Sequence, residues 1–203
     1  MARFFALLAL TTSAFAGNSS NYTYLALGDS VAFGFNPLTY SPSVTPSQFV
    51  GYPEIMAQQL HLAQSKKETN ASCPGETSSS FLLGTAAPPD YGCNFPHSNP
   101  DAPPFKLFPG LHTPYTSTQM EFAVSQLKAN KHIDRVTLSI GANDLVVLEI
   151  ACNYVPGVNN PAAAACVQQA LLPDPSNPAH LGPVMQTYAA NLTAILTAIR
   201  LDS

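Results

Sequence analysis

The sequence has no tryptophan, only 8 lysines and arginines against 12 aspartates and glutamates, and charged side chains at 10% of its 203 residues. With a formal net charge of −4, the chain has no basic face to neutralise phosphates, and nucleic acid is excluded as an expected partner. It contains no C-x-x-C pair, and its 5 histidines are scattered, so no ligand set for a structural metal is present. No apolar run reaches the length that crosses a bilayer, so stable membrane insertion is not expected. Neither an internal repeat nor a shift of composition divides the chain, and its length suits one domain with a sizeable core.

What is present begins with "MARFFALLALTTSAFAG": a basic Arg3, an apolar run from Phe4 to Leu10, and Ala14-Phe15-Ala16 as a small-x-small cleavage site. Residues 1–16 therefore read as a signal peptide, and the mature chain, 17–203, is expected to be secreted, extracellular or periplasmic. Export makes disulfides the expected state of Cys73, Cys93, Cys152 and Cys166. Four cysteines allow three connectivities. Sequential pairing, Cys73 with Cys93 and Cys152 with Cys166, is the expectation because each pair brackets a proline-rich or small-residue segment. The motif N-x-S/T occurs at Asn18, Asn21, Asn70 and Asn191.

Three strands are expected, around 23–28, 69–73 and 135–140, interleaved with helices, which is an α/β pattern. "GYPEIMAQQLHLA" carries Pro53 near its start and apolar residues at helical spacing. "TSSSFLL" opens a helix through hydroxyl caps, and "TSTQMEFAVSQLKANK" another, with Thr116 or Ser117 as cap and lysines at its end. Residues 84–114 hold eight prolines and read as one long loop, lined by Tyr91, Phe95, Phe105, Phe108 and Leu111. "LVVLEIA" reads as a short helix, and 152–180 as a loop interrupted by "PAAAACVQQALL". In "PVMQTYAANLTAILTAIR", Met185, Tyr188, Leu192, Ile195 and Ile199 form an amphipathic stripe that needs a sheet to cover.

Each strand stops at a polar turn. "ALGDS" follows the first, "NASCPGETSSS" contains the second, and "SIGAND" closes the third. Singly, these are ordinary: Asp29 and Ser30 suit a turn, and Asn143 or Asp144 would serve as N-cap of "LVVLEIA". Together they place Ser30, Gly75 and Asn143 just past successive strands, where open α/β sheets bind ligands. In that order they resemble the first three sequence blocks of the SGNH, or GDSL, hydrolases, a likeness covering roughly residues 22–148 with the final helix also fitting.

The resemblance implies a three-layer α/β/α sandwich on a parallel, flavodoxin-like sheet of order 2-1-3-4-5. It implies Ser30 as nucleophile and an oxyanion hole made by the backbone N–H groups of Ser30 and Gly75 and the side-chain amide of Asn143. Acyl transfer needs a hydroxyl beside a base and donors aimed where the carbonyl oxygen becomes negative, each worth about 3–4 kcal/mol of barrier. Asp29 and Asp144 are expected to support the turns. The implied substrate is a small-molecule ester, a lipid acyl ester or a sugar acetate, with no cofactor. The chain departs from the family in lacking the Asp-x-x-His pair near the C-terminus. It is therefore expected to be the N-terminal part of such a domain, with C-terminal strands, catalytic Asp and catalytic His missing. Asp174 and His180 form its one substitute pair, at a spacing the family does not use. His61, His97, His112 and His132 read as surface residues. The alternative is a catalytically inactive secreted module that binds lipid or carbohydrate in a retained pocket.

Overall fold

A computed structural model describes residues 23–41, 43–62, 70–84, 93, 104–130, 132–173 and 182–202. The signal segment 1–16 lies outside them, as do Tyr91, Phe95, His97, Asp174 and His180. Among the described residues the chain is mixed α/β, with a two-stranded parallel sheet and seven α-helices.

Strand β1 (Thr23–Gly28) is apolar on both faces and is buried along all but its first residue. Leu25 and Leu27 enter a cluster with Phe81, Phe122, Ala123 and Ile195, while Tyr24 and Ala26 pack on the other face against Ala57 and Leu62. Different helices therefore cover the two faces of one strand, which is why its sequence is a continuous apolar run. Each fully buried leucine, isoleucine or phenylalanine contributes about 1.5–3 kcal/mol. Strand β2 (Ile133–Ser139) runs parallel to β1, with Tyr24 opposite Arg135 and Gly28 opposite Ser139.

The expected strand at 69–73 is reduced to a single parallel bridge, Asn70 with Ala26, on the edge of β1 away from β2. Ala71 and Cys73 still donate backbone bonds to Ala26 and Gly28, both at 2.9 Å. Regular pairing fails because Asn70 turns the chain with its own side chain: Oδ1 accepts from the backbone N–H of Ser72 at 3.1 Å and from its hydroxyl. The amide of Asn70 also donates to the Ala32 carbonyl and to Glu54, so this buried asparagine is a structural tie and not an exposed acceptor for glycan.

Helices α1 (Ser30–Phe33), α2 (Tyr52–Gln59) and α3 (Ser78–Leu83) follow, and then α4 (Gln119–Ala129). Its cap is Thr118, one or two residues later than expected, because only Thr118 pairs reciprocally with Glu121, at 3.0 Å in both directions. Helix α5 (Ala142–Ala151) leads to α6 (Pro161–Leu171) and α7 (Pro183–Asp202). The stripe of α7 packs as its spacing requires, with Ile195 wholly buried and Ala198 and Ile199 beside it against the β1 core. Among the described residues no helix is long and apolar enough to cross a membrane.

Both disulfides form in sequential order, Cys73–Cys93 and Cys152–Cys166. The second joins the end of α5 to α6, a helix with Ala163 as its only buried residue. With so little apolar burial, α6 depends on the bridge. Replacing Cys152 and Cys166 together by alanine will cost about 3 kcal/mol, or about 6–12 °C in Tm by thermal circular dichroism. An unchanged Tm would show that the bridge carries no constraint.

Candidate active site

The turn after β1 is set by close backbone approach. Gly28 has φ +134°, and a Cβ there would lie 2.0 Å from the Ser139 carbonyl oxygen, so only glycine fits. The side chain of Gln119 holds this glycine on both sides: Nε2 donates to the Gly28 carbonyl at 3.0 Å, and Oε1 accepts from its N–H. Asp29 is buried and caps α1, its Oδ1 accepting from the Val31 N–H at 3.0 Å, while its own N–H donates to the Ser139 carbonyl at 2.8 Å. Burial raises the Asp29 carboxyl above its ordinary pKa, partly offset by those donors. Ser30 opens α1 half-buried. Among the described residues neither its hydroxyl nor its backbone N–H has a hydrogen-bonding partner.

On the neighbouring segment, Pro74-Gly75 forms a turn closed by the Glu76 N–H on the Cys73 carbonyl at 3.2 Å, with Gly75 at φ +77°. Gly75 is buried, yet its N–H has no acceptor among the described residues. Native folds pair the great majority of buried N–H groups, so this orphan needs an explanation.

Past β2, Gly141 and not Asn143 or Asp144 is the N-cap of α5, and it makes no side-chain capping bond. Both polar residues sit inside the first turn and are used elsewhere. The Asn143 amide, buried, donates from Nδ2 to the Glu76 carbonyl at 2.9 Å, leaving its second N–H for another acceptor. Asp144 accepts from the backbone N–H and hydroxyl of Ser78, at 2.9 and 2.6 Å, fastening α5 to the start of α3. Helix α7 braces the same end: Tyr188 donates to the Ile140 carbonyl at 3.0 Å, and Asn191 to the hydroxyls of Ser78 and Ser79. The three turns carrying Ser30, Gly75 and Asn143 thus meet at the carboxyl end of the sheet.

No described histidine joins them. His112 donates from Nε2 to the Phe33 carbonyl at 3.1 Å and is half-buried against the Phe33 ring, a core contact where the sequence suggested a surface residue. His132 lies at the opposite end of β2, its carbonyl accepting from Thr23 at 3.1 Å. His61 follows α2 in a left-handed conformation. Among the described residues no group of histidines, cysteines and carboxylates could hold a metal ion. In the proline-rich segment, Phe105 and Leu111 pack inward with Phe33 and Phe49, while Pro104, Lys106, Leu107 and Pro114 line a cavity of about 990 Å³ that does not include Ser30. A second cavity, of about 290 Å³, opens beside the Asn143 turn, lined by Thr77, Asp144, Val147, Leu148 and Val184 among others, and not by Ser30.

Two residues at this end escaped the sequence reading. Glu76 is fully buried, and burial pushes its carboxyl up from 4.5 to about 7, against hydrogen bonds from Ser80 and Gln119 and the attraction of Lys106. Gln119 joins it to the Gly28 turn. One signal was available: Glu76 is the only charged residue between Asn70 and Gly84, surrounded by hydroxyls. No family model, no curated protein and no solved structure matches the chain.

Proposed function

We propose that the chain is a secreted serine ester hydrolase of the SGNH, or GDSL, type. In this reading Ser30 is the nucleophile, and the N–H groups of Ser30 and Gly75 and the amide of Asn143 receive the negative charge that develops on the ester carbonyl oxygen. The supporting observation is the N–H of Gly75, a buried residue, which has no acceptor among the described residues and lies near an asparagine amide with one N–H to spare. Leaving a buried donor unpaired costs about 1–3 kcal/mol. A tetrahedral oxyanion would satisfy it, so the transition state gains what the ground state lacks. The three-layer α/β/α architecture belongs to the same reading. Segment 70–73, β1 and β2 have the spatial order of its first three strands, and helices cover both faces of β1. Secretion is supported by two closed disulfides. In this reading the substrate is a carboxylic ester, a lipid acyl ester or a sugar acetate.

The Asp-x-x-His pair that supplies the base in this family does not occur in the sequence, and its one substitute, Asp174 with His180 at a spacing the family does not use, lies outside the described residues. The second reading is a catalytically inactive secreted module that binds lipid or carbohydrate in the retained pocket, and it is favoured by His112 and His132 bonding elsewhere than to Ser30. Fluorophosphonate labelling separates the two. A hydrolase is labelled at Ser30, Ser30→Ala abolishes labelling without unfolding, and Asn143→Ala lowers turnover of nitrophenyl esters by about a hundredfold or more. Equal labelling of Ser30→Ala removes Ser30 from the mechanism, and ligand binding with neither labelling nor turnover establishes the binding module.

A further inference from the structure

Each oxygen of Glu76 accepts a hydrogen bond. Ser80 Oγ donates to Oε1, Gln119 Nε2 donates to Oε2 at 2.9 Å, and Asn143 Nδ2 donates to the backbone carbonyl at 2.9 Å. Gln119 is equally committed, since one proton of its amide goes to Glu76 and the other to the Gly28 carbonyl, while Oε1 accepts from the Gly28 N–H. This fixes which way the amide faces. Rotated by half a turn, it would set Oε1 against the carboxylate and against the Gly28 carbonyl, and Nε2 against the Gly28 N–H. The two Gly28 bonds set the orientation of the amide, and a carboxylate at position 76 reinforces it as a charged acceptor, a stronger hold than the neutral carboxyl can give.

We propose that Glu76 is a positioning residue for the Ser30 site: its carboxylate locks the Gln119 amide onto the Gly28 turn, and its backbone carbonyl holds the Asn143 amide. One residue then sets both the nucleophile and an oxyanion donor. The lock stands on the hydrogen bonds alone; only its catalytic consequence rests on the hydrolase reading. An apolar residue of similar volume would fill the place with comparable stability, so a buried acid here needs a role beyond packing.

The lock is pH-dependent. The charged and titratable groups acting on Glu76 are Lys106, which favours ionisation, and Asp29, which opposes it, while the Tyr115 phenol is held well above its ordinary pKa by burial and stays neutral. Glu121 interacts with Lys106 in turn. With burial placing the Glu76 carboxyl at about 7, its hold on the Gln119 amide tightens as pH rises through neutrality.

The test is a pH titration of the disulfide-intact protein by 1H–15N NMR, following the N–H of Gly28 and the side-chain amides of Gln119 and Asn143. All are expected to titrate with one midpoint near 7, and Glu76→Gln, which keeps the shape but never ionises, is expected to flatten them. Ser80→Ala, which removes a donor to the carboxylate, should move the midpoint upward by about one pH unit and serves if Glu76→Gln fails to fold. Resonances that stay flat across the neutral range, or that titrate unchanged in either variant, overturn the proposal. Phosphonylation of Ser30 is the catalytic arm: its rate should fall at least about tenfold on the acid side in the wild type, beyond any fall in Glu76→Gln. An unlabelled wild type refutes the hydrolase reading and leaves the NMR result to judge the lock.

Discussion

Gly28→Ala will cost the fold about 3 kcal/mol or more and will take the Ser30 site with it. Two effects add at this position. The backbone sits at φ +134°, a region that side chains rarely adopt, and the new Cβ would be 2.0 Å from the Ser139 carbonyl oxygen and 2.8 Å from the Ser139 backbone nitrogen. Neither partner can yield, because that carbonyl accepts the Asp29 N–H and both strands are held in register from Tyr24 to Gly28. Relief requires the ends of β1 and β2 to part, which displaces the residue before Ser30 and the one side chain, Gln119, that spans the turn. Gly157→Ala is the control: its φ is +84° but nothing lies within 4 Å of the new Cβ, so only the backbone penalty of about 1–2 kcal/mol remains. The absence of tryptophan makes circular dichroism in a urea series the measurement of choice. If Gly28→Ala proves no worse than Gly157→Ala, the close approach of the two strands is not what requires glycine.

How much of this could be read from the sequence depends on how local each determinant is. β1 was legible because a strand covered on both faces is apolar at every position, and Pro74-Gly75 because that dipeptide specifies its own turn. The disulfide pairs followed from the segments they bracket. Helix α6 was only half legible, since an alanine-rich run with one buried residue has no apolar stripe; the Cys152–Cys166 bridge fixes it from outside. The short strand at 69–73 was misread because β-propensity does not register that Asn70 will bond to Ser72, Ala32 and Glu54. The site divides in the same way. Ser30, Gly75 and Asn143 carry local turn signals, whereas Glu76, Gln119, Tyr188 and Asn191 act across sequence separations of 43 to 113 residues. Partners at that distance leave no periodicity to detect.

Glu76 will also make the protein less stable as pH rises toward neutrality, by about 3 kcal/mol. In the unfolded chain the carboxyl releases its proton near the ordinary 4.5, but in the fold burial holds the proton until about 7. Between those values the folded state carries a proton that the unfolded state has lost, so stability is full at the acid end, falls as pH rises, and levels off above about 7. A gap from 4.5 to about 7, at about 1.4 kcal/mol per pH unit, gives the stated magnitude. Asp29, also raised by burial, acts in the same direction. The check is a double difference: the stability of Glu76→Gln relative to wild type, by urea denaturation, on either side of this window. Glutamine never ionises, so the variant should gain about 3 kcal/mol on the wild type between the acid and alkaline ends. A constant difference would mean that the Glu76 carboxyl titrates in the fold as it does in the unfolded chain. The same ionisation that tightens the hold of Glu76 on Gln119 therefore weakens the fold, so the proposed positioning is strongest on the less stable side of neutrality.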